Sequence, residues 1–362
     1  MRPPGRCHPN SPCDVPSPVL YVTVSHMLSS FVTAVSAAAL LSSGWAAAPD
    51  PGGDVPDSPF WVNPDTRAAR QAAAWEARGR EGDAALLRRI AGQPTATWVG
   101  DRDPEPEVRR ITVAAAYQDR IPVIAAYDIP HRDCGYYSEG GAPSPSAYRR
   151  WIRRLAAGIE DRKALVILEP DAVAQLVAGC EGAELEGGRL ELLGEAVKAL
   201  KALPRTKVYL DAGNAGWLPD QKVLVEAMWQ AGVRDADGFA LNVSNFQTTE
   251  VSRAYGDRLS RQLGGVHYVI DTSRNGNGPW LSQNDSEAWC NPPHRALGQP
   301  PTVATGSPLI DAFLWIKRPG ESDGACRGAP PAGHWWASYA LDLARSSVTL
   351  PGSPFSPAGA PA

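Results

Sequence analysis

Seven short apolar runs recur along the chain: TATWV (95–99), IPVIAAY (121–127), ALVILE (164–169), KVYLD (207–211), GFALN (238–242), HYVID (267–271) and AFLWIK (312–317). They are continuous rather than alternating, the pattern of strands buried on both faces. Helical periodicity lies between most of them. SAYRRWIRRLAAGIEDR (146–162) sets Trp151, Ile152, Leu155, Ala156 and Ile159 on one stripe with arginines opposite. GGRLELLGEAVKALKAL (187–203) and DQKVLVEAMWQAG (220–232) repeat the design. Strands alternating with helices predict βαβ units and a parallel sheet.

Polar residues follow every run: Asp101; Asp128 and Asp133; Glu169 and Asp171; Asp211; Asn242 and Asn245; Asp271; then Lys317, Glu321 and Asp323. An open doubly wound sheet gathers its site at one switch point, whereas a barrel brings every strand end around one mouth. The pattern favours an α/β barrel over an open sheet, although some of these carboxylates are expected simply to cap helices.

The 362 residues suffice for one large domain, with 43% hydrophobic residues and a formal net charge of −4. A weakly acidic chain without a basic run gives nucleic acid no footing. Twelve tryptophans stand beside six phenylalanines, and Trp offers sugars a flat amphipathic face. The first 48 residues read as a signal peptide: Arg2 and Arg6, a weakly apolar stretch, and the small-x-small pair Ala46 and Ala48. A misassigned start, with the true one at Met27, would account for the long leading segment. Residues 49–57 read as a linker, 58–348 as the barrel domain, and 349–362 as a Pro/Ala/Gly-rich tail. Cys134, Cys180, Cys290 and Cys326 remain after the leader and allow three connectivities. No CxxC spacing suggests zinc, and an oxidised, secreted protein fits better. No P-loop, GxSxG or HExxH occurs, and NGNG at 275–278 lacks the spacing of a nucleotide loop.

Carboxylates at strand ends suit glycoside hydrolysis, which needs an acid for the leaving oxygen and a second group for water or attack. EPD at 169–171 is the first candidate. The chain resembles glycoside hydrolase family six, the inverting cellulases, over 58–345. The resemblance rests on SPFWVNP, YDIPHRDCG, LVILEPDAVA, VYLDAGNAGW, LNVSNF, VIDTSRNGNGPW, WCNPPHRALG and DAFLWIKRPGESDGAC. It is strongest toward the bacterial endoglucanases of that family, and it implies a distorted barrel of about seven parallel strands with the site at their C-terminal ends.

The resemblance further implies that Cys134 pairs with Cys180 and Cys290 with Cys326. It makes Asp171 the general acid and Asp133 the neighbour that keeps its pKa high and lies on the water path. Asp323 is the proposed base, and a water chain through the Asp133 region is its rival. Tyr127 and Ser138 match positions that shape the sugar and hold the water. Trp98, Trp217 and Trp289 match sugar-stacking positions, and Asp211, Asn245, Arg295, Lys317 and Glu321 match substrate-binding ones. Trp61, Trp151, Trp335 and Trp336 are assigned to packing. Asn214 and Phe246 depart from the family's common His and Tyr, which bears on substrate preference more than on chemistry.

The expected activity is a secreted endo-β-1,4-glucanase acting as a monomer on β-1,4-glucan, without cofactor, metal or membrane partner. An exo-acting cellobiohydrolase needs long roofing loops, and RGAPPAGHW after Cys326 is too short for one. A non-catalytic glucan-binding protein is the alternative from another class, and the full set of carboxylates argues against it.

Overall fold

A computed structural model describes residues 58–180, 188–282 and 285–349. The expected leader, the linker and the tail beyond residue 349 lie outside the described residues.

Each apolar run contains or overlaps a strand: β1 (Thr97–Val99), β2 (Val123–Ala126), β3 (Ala164–Leu168), β4 (Thr206–Asp211), β5 (Gly238–Leu241), β6 (Tyr268–Asp271) and β7 (Ile310–Leu314). All neighbours pair in parallel and in sequence order. The sheet curls until its edges meet at one bridge, Thr95 to Trp315, where the Ala96 amide donates to the Trp315 carbonyl at 2.9 Å. This is the expected distorted seven-stranded barrel, thinly joined at the β7–β1 seam. The seam also explains two shifted boundaries. β1 begins at Thr97 because the residues before it pair with the last strand. β7 begins at Ile310, opposite Tyr268, and ends before Trp315 turns to β1.

Alternation along the strands divides the apolar side chains into two layers. Val123, Ala125, Leu165, Ile167, Tyr209, Ala240, Val269 and Leu314 fill the barrel interior. Ile124, Val166, Leu168, Val208, Leu210, Phe239, Ile270 and Phe313 face the helices. Those helices are α1 (Arg67–Glu76), α2 (Glu81–Ala91), α3 (Glu105–Tyr117), α4 (Pro145–Ile159), α5 (Ala172–Val177), α6 (Arg189–Lys201), α7 (Lys222–Gln230), α8 (Thr249–Gln262) and α9 (Ala337–Thr349).

Helix α4 shows the local logic. Ser144 caps it by accepting from the Ala147 amide, and Pro145 occupies the first turn, where no amide is needed. Tyr148, Trp151, Ile152, Leu155 and Ile159 are buried along one face. Ala156 is only half-buried, because the helix turns Gly158 into the contact with Val108 of α3. A third apolar cluster joins the ends of the barrel domain: Ala72 and Trp75 of α1, Leu87 and Ile90 of α2, and Leu341 and Leu343 of α9.

Both implied disulfides form, Cys134–Cys180 and Cys290–Cys326, across 46 and 36 positions. The first ties the loop after β2 to the end of α5. The second ties the loop after β6 to the loop after β7.

Candidate active site

The turns that follow the strands carry unusual backbone. Asp101, Asp133, Glu169, Asp171, Asn242 and Ser244 all have positive φ, a region that side chains with a Cβ enter at a cost. Such strain collects where the surrounding structure fixes side chains for a task. Glu169 and Asp171 are both left-handed, at φ 48° and 69°. The chain thus doubles back between β3 and α5 and places Asp171 at the mouth.

Asp171 is surrounded by like charge. Its amide donates to Asp211 Oδ2 at 2.8 Å, and the carboxylates of Asp211 and Asp133 are its charged neighbours. Burial first, then Asp211, then Asp133, push its carboxyl well above the usual carboxylate range, against a smaller opposing pull from Lys317. Asp211 is itself buried and raised to about 7, its two backbone donors notwithstanding. Its Oδ1 is buried without a hydrogen-bond partner. Burial and like charge both favour the protonated form of Asp171, the form a general acid requires.

Asp133 is oriented from three directions. The Ser138 amide and hydroxyl both donate to its Oδ2 at 2.7 Å, and Gln175 Nε2 approaches Oδ1 at 3.4 Å. Gln175 lies one helical turn beyond Asp171, so α5 holds both members. The Tyr127 hydroxyl lies 3.2 Å from Ser138 Oγ, and burial followed by Asp171 and Asp133 raises the phenol. Arg132 pairs with Asp101 at 3.0 Å, which leaves Asp133 to the site.

A second acidic layer lies beneath this one. Glu169, fully buried, accepts from the amides of Asp128 and Ile129 at 2.9–3.1 Å, yet burial raises it to about 8. Asp128, raised by burial to about 6, accepts from the Asp101 amide at 2.8 Å. Arg189, the buried first residue of α6, donates to the carbonyls of Pro130 and His131. These contacts fix the loop that carries Asp133. Sequence alone offered Glu169 within the EPD candidate, marked Asp128 only as a strand-end carboxylate, and gave no signal for Arg189.

On the wall contributed by β6 and β7, one carboxylate is neutralised by cations. Asp323 pairs with Arg274 at 2.8 Å and Lys317 at 3.0 Å, and accepts from the Asn291 amide. Burial alone would raise it, but Arg274 and then Lys317 outweigh burial and hold the carboxyl below its usual range. Two cations thus favour the charged form of Asp323, the residue expected as base. Asp271 does not pair with Arg274. It takes the amides of Ser244, Ser273, Ile316 and Lys317, pinning three loops.

Comparison with known proteins identifies the family. A family model described as Glycosyl hydrolases family 6 matches residues 55–347. The chain belongs to glycosyl hydrolase family 6. It is 46% identical over 296 residues to Endoglucanase A of Cellulomonas fimi, covering 81% of this chain and 62% of that protein. Endoglucanase 1 of Streptomyces halstedii is 41% identical over 280 residues, 74% of this chain and 82% of that protein. The solved endoglucanase Cel6 from Mycobacterium tuberculosis, in complex with methyl-cellobiosyl-4-deoxy-4-thio-β-D-cellobioside, superposes with a TM-score of 0.74 at 42% identity. That match covers 80% of this chain and 97% of that one. The chain spans less than two thirds of the length of the Cellulomonas relative.

The residues expected to bind substrate, and those assigned to packing, divide by what they touch. Trp217 and Trp289 are more than a third exposed. Trp98 is half-buried, anchored by its indole N–H to the Ile316 carbonyl at 2.8 Å and edge-on to Tyr127. Asn245 is half-buried and its side chain accepts from the Phe246 amide. Lys317 donates to the Ser322 carbonyl as well as pairing with Asp323. Glu321 is buried and paired with Arg318 at 2.7 Å and Arg67 at 3.5 Å. Arg295 spends its donors on the carbonyls of Pro293, Asn277 and Gly278, so in this structure it fastens a loop. Asn214 accepts from the amides of Gly216 and Trp217 and shapes the turn that presents Trp217. Phe246 is buried with the Arg274 guanidinium 4.3 Å from its ring centre. Trp61 and Trp151 are buried, as assigned, and Trp335 and Trp336 pack partly buried beside α1 and α9.

Proposed function

We propose that the protein is an exported endo-β-1,4-glucanase that hydrolyses internal bonds of cellulose or a related glucan with inversion. The observation that carries this reading is Asp171, a carboxyl whose pKa is raised by burial and two neighbouring carboxylates at the mouth of a family 6 barrel. Asp171 gives its proton to the glycosidic oxygen as the C1–O bond breaks. Water adds to C1 from the opposite face and loses its proton toward Ser138 and Asp133, which are already hydrogen-bonded. Asp323 serves as the charge partner of Arg274 and Lys317. Trp98, Trp217 and Trp289 offer faces for glucosyl rings.

Internal cutting is supported by the segment after Cys326. The amide of Gly333 donates to Ser322, that of Ser322 to His334, and that of Trp336 to Gly320. The Trp335 indole reaches Gln71 of α1. The segment therefore folds down on an outer helix, whereas a tunnel needs it as a roof. Two disulfides suit an oxidising compartment outside the cell. Removal of residues 1–48 on export is part of the same reading.

The test is hydrolysis of soluble carboxymethyl cellulose, with viscosity and new reducing ends followed together. Steep viscosity loss at few new ends supports the endo reading, and slow loss with steady sugar release overturns it. Proton NMR of the first product decides inversion: an α-anomer released from a β-glucan supports it, a β-anomer sinks it.

A further inference from the structure

The loop after β2 reaches across to the loops after β6 and β7. The Tyr137 hydroxyl donates to Glu287 Oε1 at 2.6 Å, a contact between residues 150 positions apart. The Tyr137 ring stands 6.1 Å from the ring of Trp289, tilted by 54°. It also rests on Gly324, where an added Cβ would collide with the ring. Between the two anchoring loops, in the closed strand order, lie the ends of β1 and β7 with Trp98 and Lys317. Both are positions matched to sugar binding.

Neither loop needs this contact to keep its shape. On one side Arg132 donates to the carbonyls of Tyr127, Ser138 and Glu139, and Cys134 is bonded to Cys180. On the other, Arg327 donates to the carbonyls of Cys290 and Glu287 and lies over Trp280, beside Cys290–Cys326. The Glu287 side chain, by contrast, is exposed and engages Tyr137. Two independently fastened walls joined by one exposed hydrogen bond and a ring seated on a glycine form a strap.

We propose that Tyr137 is a specificity-determining strap across the cleft, which must lift before an internal stretch of a long glucan can enter. The proposal rests on the glucanase reading and adds to it a cost for polymer entry that short oligosaccharides, able to thread from an end, do not bear. Opening breaks the Tyr137–Glu287 bond and unseats the ring from Gly324, with no covalent step.

The test compares kcat/KM on carboxymethyl cellulose with kcat/KM on cellotetraose for the purified protein and for Tyr137→Ala, Tyr137→Phe and Glu287→Ala. A hydrogen bond to a carboxylate at an exposed site biases such an equilibrium by about three- to tenfold. The expected result is a rise of that size on the polymer for Tyr137→Ala, chiefly through KM, with cellotetraose changed by less than about twofold. Tyr137→Phe and Glu287→Ala, which lose the bond but keep the ring on Gly324, should fall between. An unchanged ratio of the two substrates overturns the strap. Equal losses on both overturn it as well, because they would make Tyr137 a support for the Asp133 loop. A parent protein inactive on every glucan would sink the glucanase reading itself, and the strap with it.

Discussion

The two walls of the mouth hold carboxylates in equal seclusion and opposite condition. On the β2–β4 wall, Asp133, Asp171 and Asp211 face one another, and the nearest cation to act on Asp171 is Lys317 from the far side. On the β6–β7 wall, Asp323 is held by two cations and a backbone amide. Burial raises a carboxyl in both places. What differs is the company, and the company shifts Asp171 and Asp323 in opposite directions. Acidity here is therefore assigned by the loops, not by residue type.

The largest effect expected from breaking this contrast is on catalysis. Asp171→Asn should lower kcat on glucan by about 10²–10⁴-fold with the fold intact, checked by kinetics beside a melting curve. A drop of less than tenfold would remove Asp171 from its role. Asp323→Asn should instead act on stability, leaving Arg274 and Lys317 with less compensation in a buried place, at a cost of about 3–5 kcal/mol in denaturant unfolding. If it unfolds normally yet abolishes kcat, Asp323 is the base after all.

A finer cut removes one member of the acidic group. Asp211→Asn keeps an oxygen for the Asp171 amide but deletes a like charge, so the Asp171 pKa falls. Activity requires protonated Asp171 and is lost as pH rises through that pKa. The alkaline limb of the kcat profile should therefore move to lower pH, by about one unit. A limb that stays in place would show that Asp211 does not tune the acid.

The smallest effect lies in the layer beneath. Glu169 has a folded pKa of about 8 against an ordinary value of 4.5. Between those values the folded state holds a proton that the unfolded state has released, so its contribution to stability falls as pH rises through that window. Glu169→Gln should flatten the fall in Tm between about pH 5 and 8. Asp323, with its lowered pKa, has the opposite sign: its contribution is lost only as the solution becomes acid. Melting curves of both variants across pH would separate the walls.

The fold was largely legible because a buried parallel strand writes itself as a continuous apolar run, and each of the seven left one. The boundaries at Thr95 and Trp315 were not, since a seam between the first strand and the last leaves no local mark. In the site, Asp133, Asp171 and Asp211 declared themselves by following strands, and family resemblance gave them roles. Hydrogen-bond partners were hidden wherever they came from far along the chain. Nothing local to Asp323 announces Arg274, 49 positions away, and nothing local to Tyr137 announces Glu287. Arg295 shows the reverse case: its position suggested a substrate contact, while its donors are taken by neighbouring carbonyls.

A chain made amino end first exposes α1 and α2 long before α9 exists to cover them. Trp75, Leu87 and Ile90 must wait for Leu341 and Leu343, and β1 must wait for Trp315. The intervening βα units can stack as they emerge, each strand onto the one before. The ring itself closes in one late event, when the two ends find each other. Until then the nascent protein offers a greasy flank to chaperones and proteases, so losses during synthesis should concentrate in that interval.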